Sequence, residues 1–321
     1  MKRKIGFYTM FLSNRGTCNA LYDYAYYCKH WYDIEPIIMV CSENRDMDAR
    51  PKFEKEFEII DHLKPWKHTR QFMDVTALEK GIESIYYIKS GYADPIYSET
   101  IKSMMHVVFP YNEPHGDVYA YVSKWLSDYC TKGVAPYVPH MIDLMRFNHT
   151  DDYRSEWGIS DNTMVIGSYG WNSLDISWVR STVAQVARNR LDVLFVFMDM
   201  SNFSDAPNVK FLSGTHVEYE KVKFINSCDV FLHGKERGET FGLAVGEFSL
   251  KGKPVITPEH VVERAHFDAL NGKEIRFTNE DQLYDMLMSI KHSDIKHTDW
   301  TAYTGYTPEL VMPQFMSVFQ P

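Results

Sequence analysis

One short stretch of this sequence, residues 228–247, gathers three glutamates, a lysine and an arginine around four glycines. The apolar run Val230–Leu232 gives way to a basic loop holding Gly234, Lys235, Arg237 and Gly238. Glu239, Thr240, Phe241, Gly242 and Leu243 follow, where a helix is expected to open near Thr240 or Phe241. A helix start offers unpaired backbone N–H groups and the positive end of its dipole to an anion. The dipole contributes only about 0.3–1 kcal/mol per charge, so a diphosphate calls for cations too. Lys235 and Arg237 lie in the same loop, and Thr240 is placed to cap the helix or to offer a ligand its hydroxyl.

Glu239 and Glu247 are eight positions apart, which on one helix is about 12 Å along the axis. A carboxylate accepts paired hydrogen bonds well, and vicinal sugar hydroxyls supply two donors. The spacing therefore suits a ligand with hydroxyls at both ends and phosphates between them: a nucleotide sugar. An isolated pair of this kind is more simply a helix-start glutamate and a solvated one. The glycines, the cations and the strand–loop–helix setting argue for the ligand.

The segment from Glu239 to Glu247, continued through Lys253, Pro254 and Thr257, resembles the signature of retaining GT-B glycosyltransferases of family four, the glycosyl transferases group 1 type. The resemblance runs upstream through Asn208–Gly214 and Lys223–Asp229, covers most of residues 160–290, and is loose over 1–150. It implies an α/β GT-B fold, two facing Rossmann-like domains with parallel sheets. By the same resemblance Glu247 would hold the donor's ribose, and Glu239 would hold hydroxyls of the transferred sugar. Backbone amides at Phe241, Gly242 and Leu243 would meet sugar and diphosphate, and Ser213, Gly214 and Thr215 would line the base pocket. One departure stands out. The family places an Arg and then a Lys after the first strand of the second domain, whereas Gly167–Asp175 here contains neither. Either Lys235 and Arg237 take over, or stabilisation of the leaving diphosphate is impaired. Gly170, near Asn172, reads as a tight loop beside phosphate or as a plain turn.

The first half offers softer candidates. Gly16, within Ser13–Thr17, follows the first strand where the family has a glycine loop. His115, after the expected strand His106–Pro110, corresponds to a family histidine near the reacting sugar; a local bond to Asp117 is its simpler reading. His106 reads as a core or edge residue, and His140 as a weaker candidate for the cleft. Asp46-Met47-Asp48 matches a metal-binding D-x-D triplet but sits among Glu43, Arg45 and Arg50, so no metal is expected there. No zinc spacing and no phosphate-binding P-loop motif occurs, and no G-x-G-x-x-G follows the first strand to favour a nicotinamide dehydrogenase.

Positioning these groups requires a scaffold, and the pattern supplies one. Short Val/Ile/Phe runs alternate with helical stretches throughout, among them Ile5–Phe11, Pro36–Ser42, Ile85–Lys89, Val134–Val138, Met164–Ser168, Val193–Met198, Val230–His233 and Pro254–Thr257. Continuous apolar strands between helices indicate parallel sheets covered on both faces. The 321 residues suit two domains. The expected division is 1–150, on the acceptor side, and 151–304, on the donor side. The amphipathic stretch Pro308–Phe319, despite Pro313, carries 305–321 back onto the first domain.

The net charge is −9, with 18 basic against 19 acidic residues in 1–150 and 16 against 24 beyond. An acidic chain without a Lys/Arg block is a poor partner for nucleic acid. No apolar run is long enough to span a membrane, which leaves peripheral membrane contact open. Five dispersed cysteines and a short, polar-interrupted N-terminal apolar run point to a cytoplasmic protein.

The expected function is thus a retaining, metal-independent glycosyltransferase. It would move a hexose-like sugar from a UDP- or GDP-type donor to a glycan or other hydroxyl acceptor, with no cofactor. The alternatives are a non-catalytic nucleotide-sugar binder, and an epimerase or phosphorylase on the same fold.

Overall fold

The computed structural model describes residues 2–41, 47–62, 69–144, 146, 148–170 and 173–321. Of the residues singled out above, Glu43, Arg45, Asp46 and Asn172 lie outside them. The chain divides into two compact units, residues 1–143 with 305–321 and residues 144–304.

In the first unit the order is β1 (Arg3–Thr9), α1 (Gly16–Trp31), β2 (Ile34–Cys41), α2 (Arg50–Glu54), β3 (Glu58–His62), α3 (Thr69–Lys80), β4 (Ile82–Lys89), β5 (Lys102–Val107), β6 (Val118–Tyr121) and α4 (Lys124–Thr131). The six strands form one parallel sheet ordered β3-β2-β1-β4-β5-β6. β1 and β2 are near-continuous apolar runs because both sheet faces are covered; Ile5, Phe7, Ile37, Ile38, Met39 and Val40 are fully buried.

The second unit repeats the plan. It contains β7 (Met164–Tyr169), α5 (Ser177–Asn189), β8 (Val193–Met198), β9 (Val209–Leu212), α6 (Glu218–Ser227), β10 (Val230–Leu232), β11 (Gly238–Glu239), α7 (Leu243–Leu250), β12 (Val255–Pro258), β13 (Glu263–Arg264), α8 (Ala265–Leu270), β14 (Glu274–Phe277), α9 (Glu280–Ser289) and α10 (His292–Ile295). Its six-stranded sheet reads β14-β12-β10-β7-β8-β9, the first sheet's pattern seen from the other edge. Each sheet therefore reverses direction once, between β1 and β4 and between β7 and β10. In such sheets ligands bind outside the carboxyl ends of the strands flanking that reversal.

The last helix, α11 (Pro308–Phe319), belongs to the first unit. Phe315 stacks on Tyr24 of α1 with ring centroids 4.6 Å apart, and Phe319 meets Tyr86 of β4 at 5.3 Å. Pro313 sits inside α11, where it costs one backbone bond that burial of Val311, Met312, Phe315 and Phe319 outweighs.

Three sequence expectations are corrected. Val134–Val138 is not a strand: Pro136 interrupts it, Val134 is exposed, and a single bridge joins Tyr137 to Tyr121. The strand expected at His106–Pro110 occupies Lys102–Val107 instead. The unit boundary falls at 143/144, not 150/151, because the next segment bonds to α6. The Asn226 side chain donates to the His149 carbonyl at 2.8 Å, and the Tyr153 amide donates to Ser227 Oγ at 2.7 Å.

Where the chain enters the second sheet, Asp229 is the fastening point. Its Oδ2 accepts from Arg154 Nη2 at 2.6 Å and from the Val165 amide at 2.8 Å, while Arg154 Nη1 reaches the Thr163 carbonyl at 3.0 Å. Both side chains are largely buried, at 10% and 18% exposure, so removing one partner strands the other. Asp229→Ala is expected to destabilise the protein by about 3 kcal/mol in chemical denaturation. A loss within experimental error of zero would show that the pair does not fasten β7 to β10.

Candidate functional site

β7 and β10 end side by side at the reversal of the second sheet, and backbone bonds sew their two exit loops together. The Gly234 amide donates to the Ser173 carbonyl at 2.9 Å, and the Ile176 amide to the Gly234 carbonyl at 3.2 Å. The Glu236 amide donates to Asp175 Oδ1 at 2.7 Å. Further on, β11 pairs in parallel with β13, Gly238 opposite Glu263 and Glu239 opposite Arg264. Gly238 has φ +81°, and a Cβ there would stand 2.0 Å from the Glu263 carbonyl oxygen, so this pairing requires glycine. Two residues of strand thus aim Glu239 back toward the end of β10.

The Glu239 carboxylate is the electrostatic centre of this arrangement. Its Oε1 accepts from His233 Nε2 at 3.3 Å and lies 3.1 Å from Lys235 Nζ. His233, the residue after β10, is buried, and its Nδ1 is 2.9 Å from Thr257 Oγ1 on β12. With Nε2 donating to the carboxylate, a neutral ring accepts from the Thr257 hydroxyl at Nδ1. Burial opposes the charge on Glu239, yet Lys235 beside it, then the His233 hydrogen bond, hold its carboxyl down at about 2. The Lys235 ammonium is correspondingly raised, chiefly by Glu239. Among the described residues Oε2 takes no hydrogen-bond partner, so one carboxylate oxygen is anchored and the other is not.

The structure corrects the local reading around it. Glu239 is on β11, not on the helix, so the helical spacing between Glu239 and Glu247 does not apply. α7 starts at Leu243, two or three residues later than expected, and its cap is Gly242 at φ +87°, with no capping side chain; Thr240 does not cap it. Phe241 is buried and its carbonyl accepts from Tyr303 Oη at 2.7 Å, fixing the turn into α7. Arg237 pairs with Glu263: Nη2 is 2.8 Å from Glu263 Oε1 and the side chain is 62% exposed. Lys235 is the partner of Glu239. Glu247 lies within α7 and is buried, its Oε1 2.7 Å from Lys221 Nζ, which also holds Glu218 at 2.5 Å.

Next to the loop after β7, a cavity of about 560 Å³ opens at the carboxyl ends of β8 and β9. Ser213 and Gly214 line it together with Leu174, Phe203 and Phe211, whose two rings meet edge-on at 5.1 Å. Thr215 does not line it; its hydroxyl accepts from the Val217 amide at 3.0 Å. Gly170, at φ +103°, turns the chain at the end of β7, the Ser173 amide returning to its carbonyl at 3.2 Å, and an added Cβ there would meet no described atom within 4 Å. Arg180 also lines the cavity, a cation that reading the sequence passed over because it sits one turn into α5 and not in the loop.

The first-unit candidates lie apart from this constellation in the chain, on the first sheet and its loops. Gly16 opens α1 after the carboxyl end of β1. His115 precedes β6, where the chain has already returned to the amino end of β5: the Asp117 amide donates to the Ser103 carbonyl at 2.8 Å. Its ring is held between Tyr97 and Tyr119, its Nδ1 is 2.8 Å from the Glu113 carbonyl, and burial depresses its basicity. The local bond is to Glu113, not Asp117. His106 is a core residue, 2.6 Å from Tyr86 Oη and 2.7 Å from the Val138 carbonyl, and burial holds it neutral at about 4. His140 is buried against it.

Among the described residues no three His, Cys, Asp or Glu side chains gather to hold a metal ion, and no helix is long and apolar enough to cross a membrane.

No family model and no curated protein matches this sequence. Solved structures do. The Anabaena protein HepE, crystallised with UDP and glucose, is 13% identical with a TM-score of 0.73, over 99% of each chain. A glycosyltransferase from Rickettsia africae is 10% identical at 0.69, covering 99% of this chain and 98% of its own. A UDP-GlcNAc 2-epimerase from Neisseria meningitidis, bound to UDP-GlcNAc, is 11% identical at 0.64, covering 99% of this chain and all of its own (100%). The fold is GT-B, as the resemblance implied.

The pairing of Lys235 with Glu239 carries a pH signature. A carboxyl depressed from its ordinary 4.5 to about 2 contributes stability that is complete above pH 4.5 and lost as pH falls toward 2. Lys235→Met should cost about 1–2 kcal/mol at neutral pH, and the gap from wild type should close across that window. Urea denaturation at stepped pH measures it; a gap that does not change with pH would assign the depression to another group.

Proposed function

We propose that this protein is a retaining, metal-independent glycosyltransferase that moves a hexose-like sugar from a nucleoside diphosphate, UDP first among candidates, to a hydroxyl acceptor. The observation that carries the reading is Glu239. It is a carboxylate kept charged by Lys235 and His233, with Oε2 open, beside the loops that leave the reversal of a GT-B sheet. A charged acceptor of hydrogen bonds at that place fits sugar hydroxyls. The neighbouring cavity supports the other end of the same ligand: about 560 Å³, with aromatic walls and the turn at Ser213 and Gly214, is suited to a nucleobase.

In the proposed reaction the bond between the sugar's C1 and the diphosphate oxygen breaks, and the acceptor oxygen bonds to C1 on the face the diphosphate leaves. The acceptor proton passes to a departing phosphate oxygen, so a glycoside and a nucleoside diphosphate result. Glu239 orients the transferred sugar, and the amides from Phe241 to Leu243 donate to the sugar and phosphates. Glu247, buried within α7, holds the ribose hydroxyls. Orientation and stabilisation of the departing charge supply the rate.

Glycosyl transfer predicts that UDP or GDP raises the melting midpoint and that sugar transfer appears only when an acceptor is present. Donor converted without acceptor to its epimer, on the nucleotide or released, would instead establish the epimerase reading, which the Neisseria likeness keeps as the second possibility. No midpoint shift with any nucleoside diphosphate or its sugars would overturn the nucleotide-sugar reading. Glu247→Ala removes up to two charge-assisted bonds, and should weaken donor affinity by about 3 kcal/mol, roughly a hundredfold, in calorimetry. Unchanged affinity would take the ribose away from Glu247.

A further inference from the structure

The diphosphate of the proposed donor needs a cation, and the second unit's obvious ones are engaged. Lys235 is held by Glu239, Arg237 by Glu263, and Lys221 by Glu218 and Glu247. The loop after β7 contains no basic residue between Gly167 and Asp175. Arg180 differs from all of these. Its Nε donates to the Leu174 carbonyl at 2.5 Å, which pins the guanidinium against the β7 exit loop. Its two Nη groups take no hydrogen-bond partner among the described residues, and the side chain lines the cavity at the ends of β8 and β9.

The position is as informative as the openness. Leu174 bridges Gly234, the residue between His233 and Lys235. A Cβ on Gly234 would come within 2.9 Å of Leu174 and 3.1 Å of Val179, so the β10 exit loop packs directly on the residues flanking Arg180. Arg180 therefore belongs both to the cavity assigned to the base and to the loop pair that presents Glu239 for the sugar. A diphosphate joins those two moieties in the ligand. α5 itself opens with no acidic residue in its first turn and no side-chain cap, so its positive end adds to the same field. The cavity's other charged liner, Asp199, packs against Gly214 on the wall formed by the ends of β8 and β9.

We propose that Arg180 binds the donor's diphosphate, substituting from within α5 for the cations absent from the loop after β7. This rests on the nucleotide-sugar reading above. A guanidinium whose Nε is already fixed presents its two Nη groups as a preformed fork, the geometry that matches phosphate oxygens.

The test compares UDP with uridine, which has the base and ribose but no phosphate, by calorimetry on the intact protein. Arg180→Gln keeps a donor for the Leu174 carbonyl but removes the charge. It should weaken UDP about tenfold to a hundredfold, leave uridine unchanged, and flatten the salt dependence of UDP binding. Arg180→Lys should recover part of the loss. A variant that binds UDP like wild type, or that loses UDP and uridine equally, overturns the role of Arg180 alone. If wild type binds GDP and not UDP, GDP and guanosine take their places. Wild type binding neither diphosphate overturns the donor reading together with this one.

Discussion

A charged carboxylate must be held near the end of β10 without being satisfied there, and much of the local architecture follows from that requirement. Burial would drive Glu239 toward its neutral acid, which donates one hydrogen bond where two acceptors are wanted. Lys235 and His233 prevent it by binding one oxygen only. His233 is in turn fixed by Thr257 on the neighbouring strand, so the orientation of the carboxylate is referred to the sheet itself. The miniature β11–β13 pairing supplies the backbone half of the same constraint, and it exists because Gly238 tolerates a close approach that no side chain could.

The charge balance of the chain makes this demanding. The second half carries most of the net −9, yet its proposed ligand is an anion. Long-range attraction works against such a ligand, and short-range donors must prevail. In the proposed reading, pairing Lys235 with Glu239 turns that cation to sugar positioning, while Arg237 is held by the buried Glu263. Arg180 is the remaining guanidinium at the cavity with donors to offer.

The sheets were largely legible in the sequence, because strands buried on both faces must be continuous Val/Ile/Phe runs, as Val193–Met198 is. Legibility failed where short pairings or single residues decided the outcome. β6 (Val118–Tyr121) is four residues at a sheet edge, with Tyr119 half-buried and Tyr121 buried, while Val134–Val138 has the better composition but a proline, and joins β6 by a single bridge from Tyr137 to Tyr121. In the site, Glu239, Lys235 and Gly242 were marked by the glycine-rich pattern, and Ser213 and Gly214 by the family resemblance. His233 was not, since its meaning comes from Thr257, twenty-four residues away. The start of α7 was displaced by β11–β13, a non-local pairing that helix-start signals do not contain. Arg180 looks like any arginine on an amphipathic helix until the cavity beside it is seen.

Amide hydrogen exchange with and without saturating UDP, repeated with GDP, reads the ligand's footprint along the backbone directly. The account predicts protection in three separate stretches of the second unit: around Leu174–Arg180, at Ser213–Gly214, and from Glu239 to Leu243, all lessened together in Arg180→Gln at limiting nucleotide. Binding that protects none of these three, or only segments of the first unit, would contradict it.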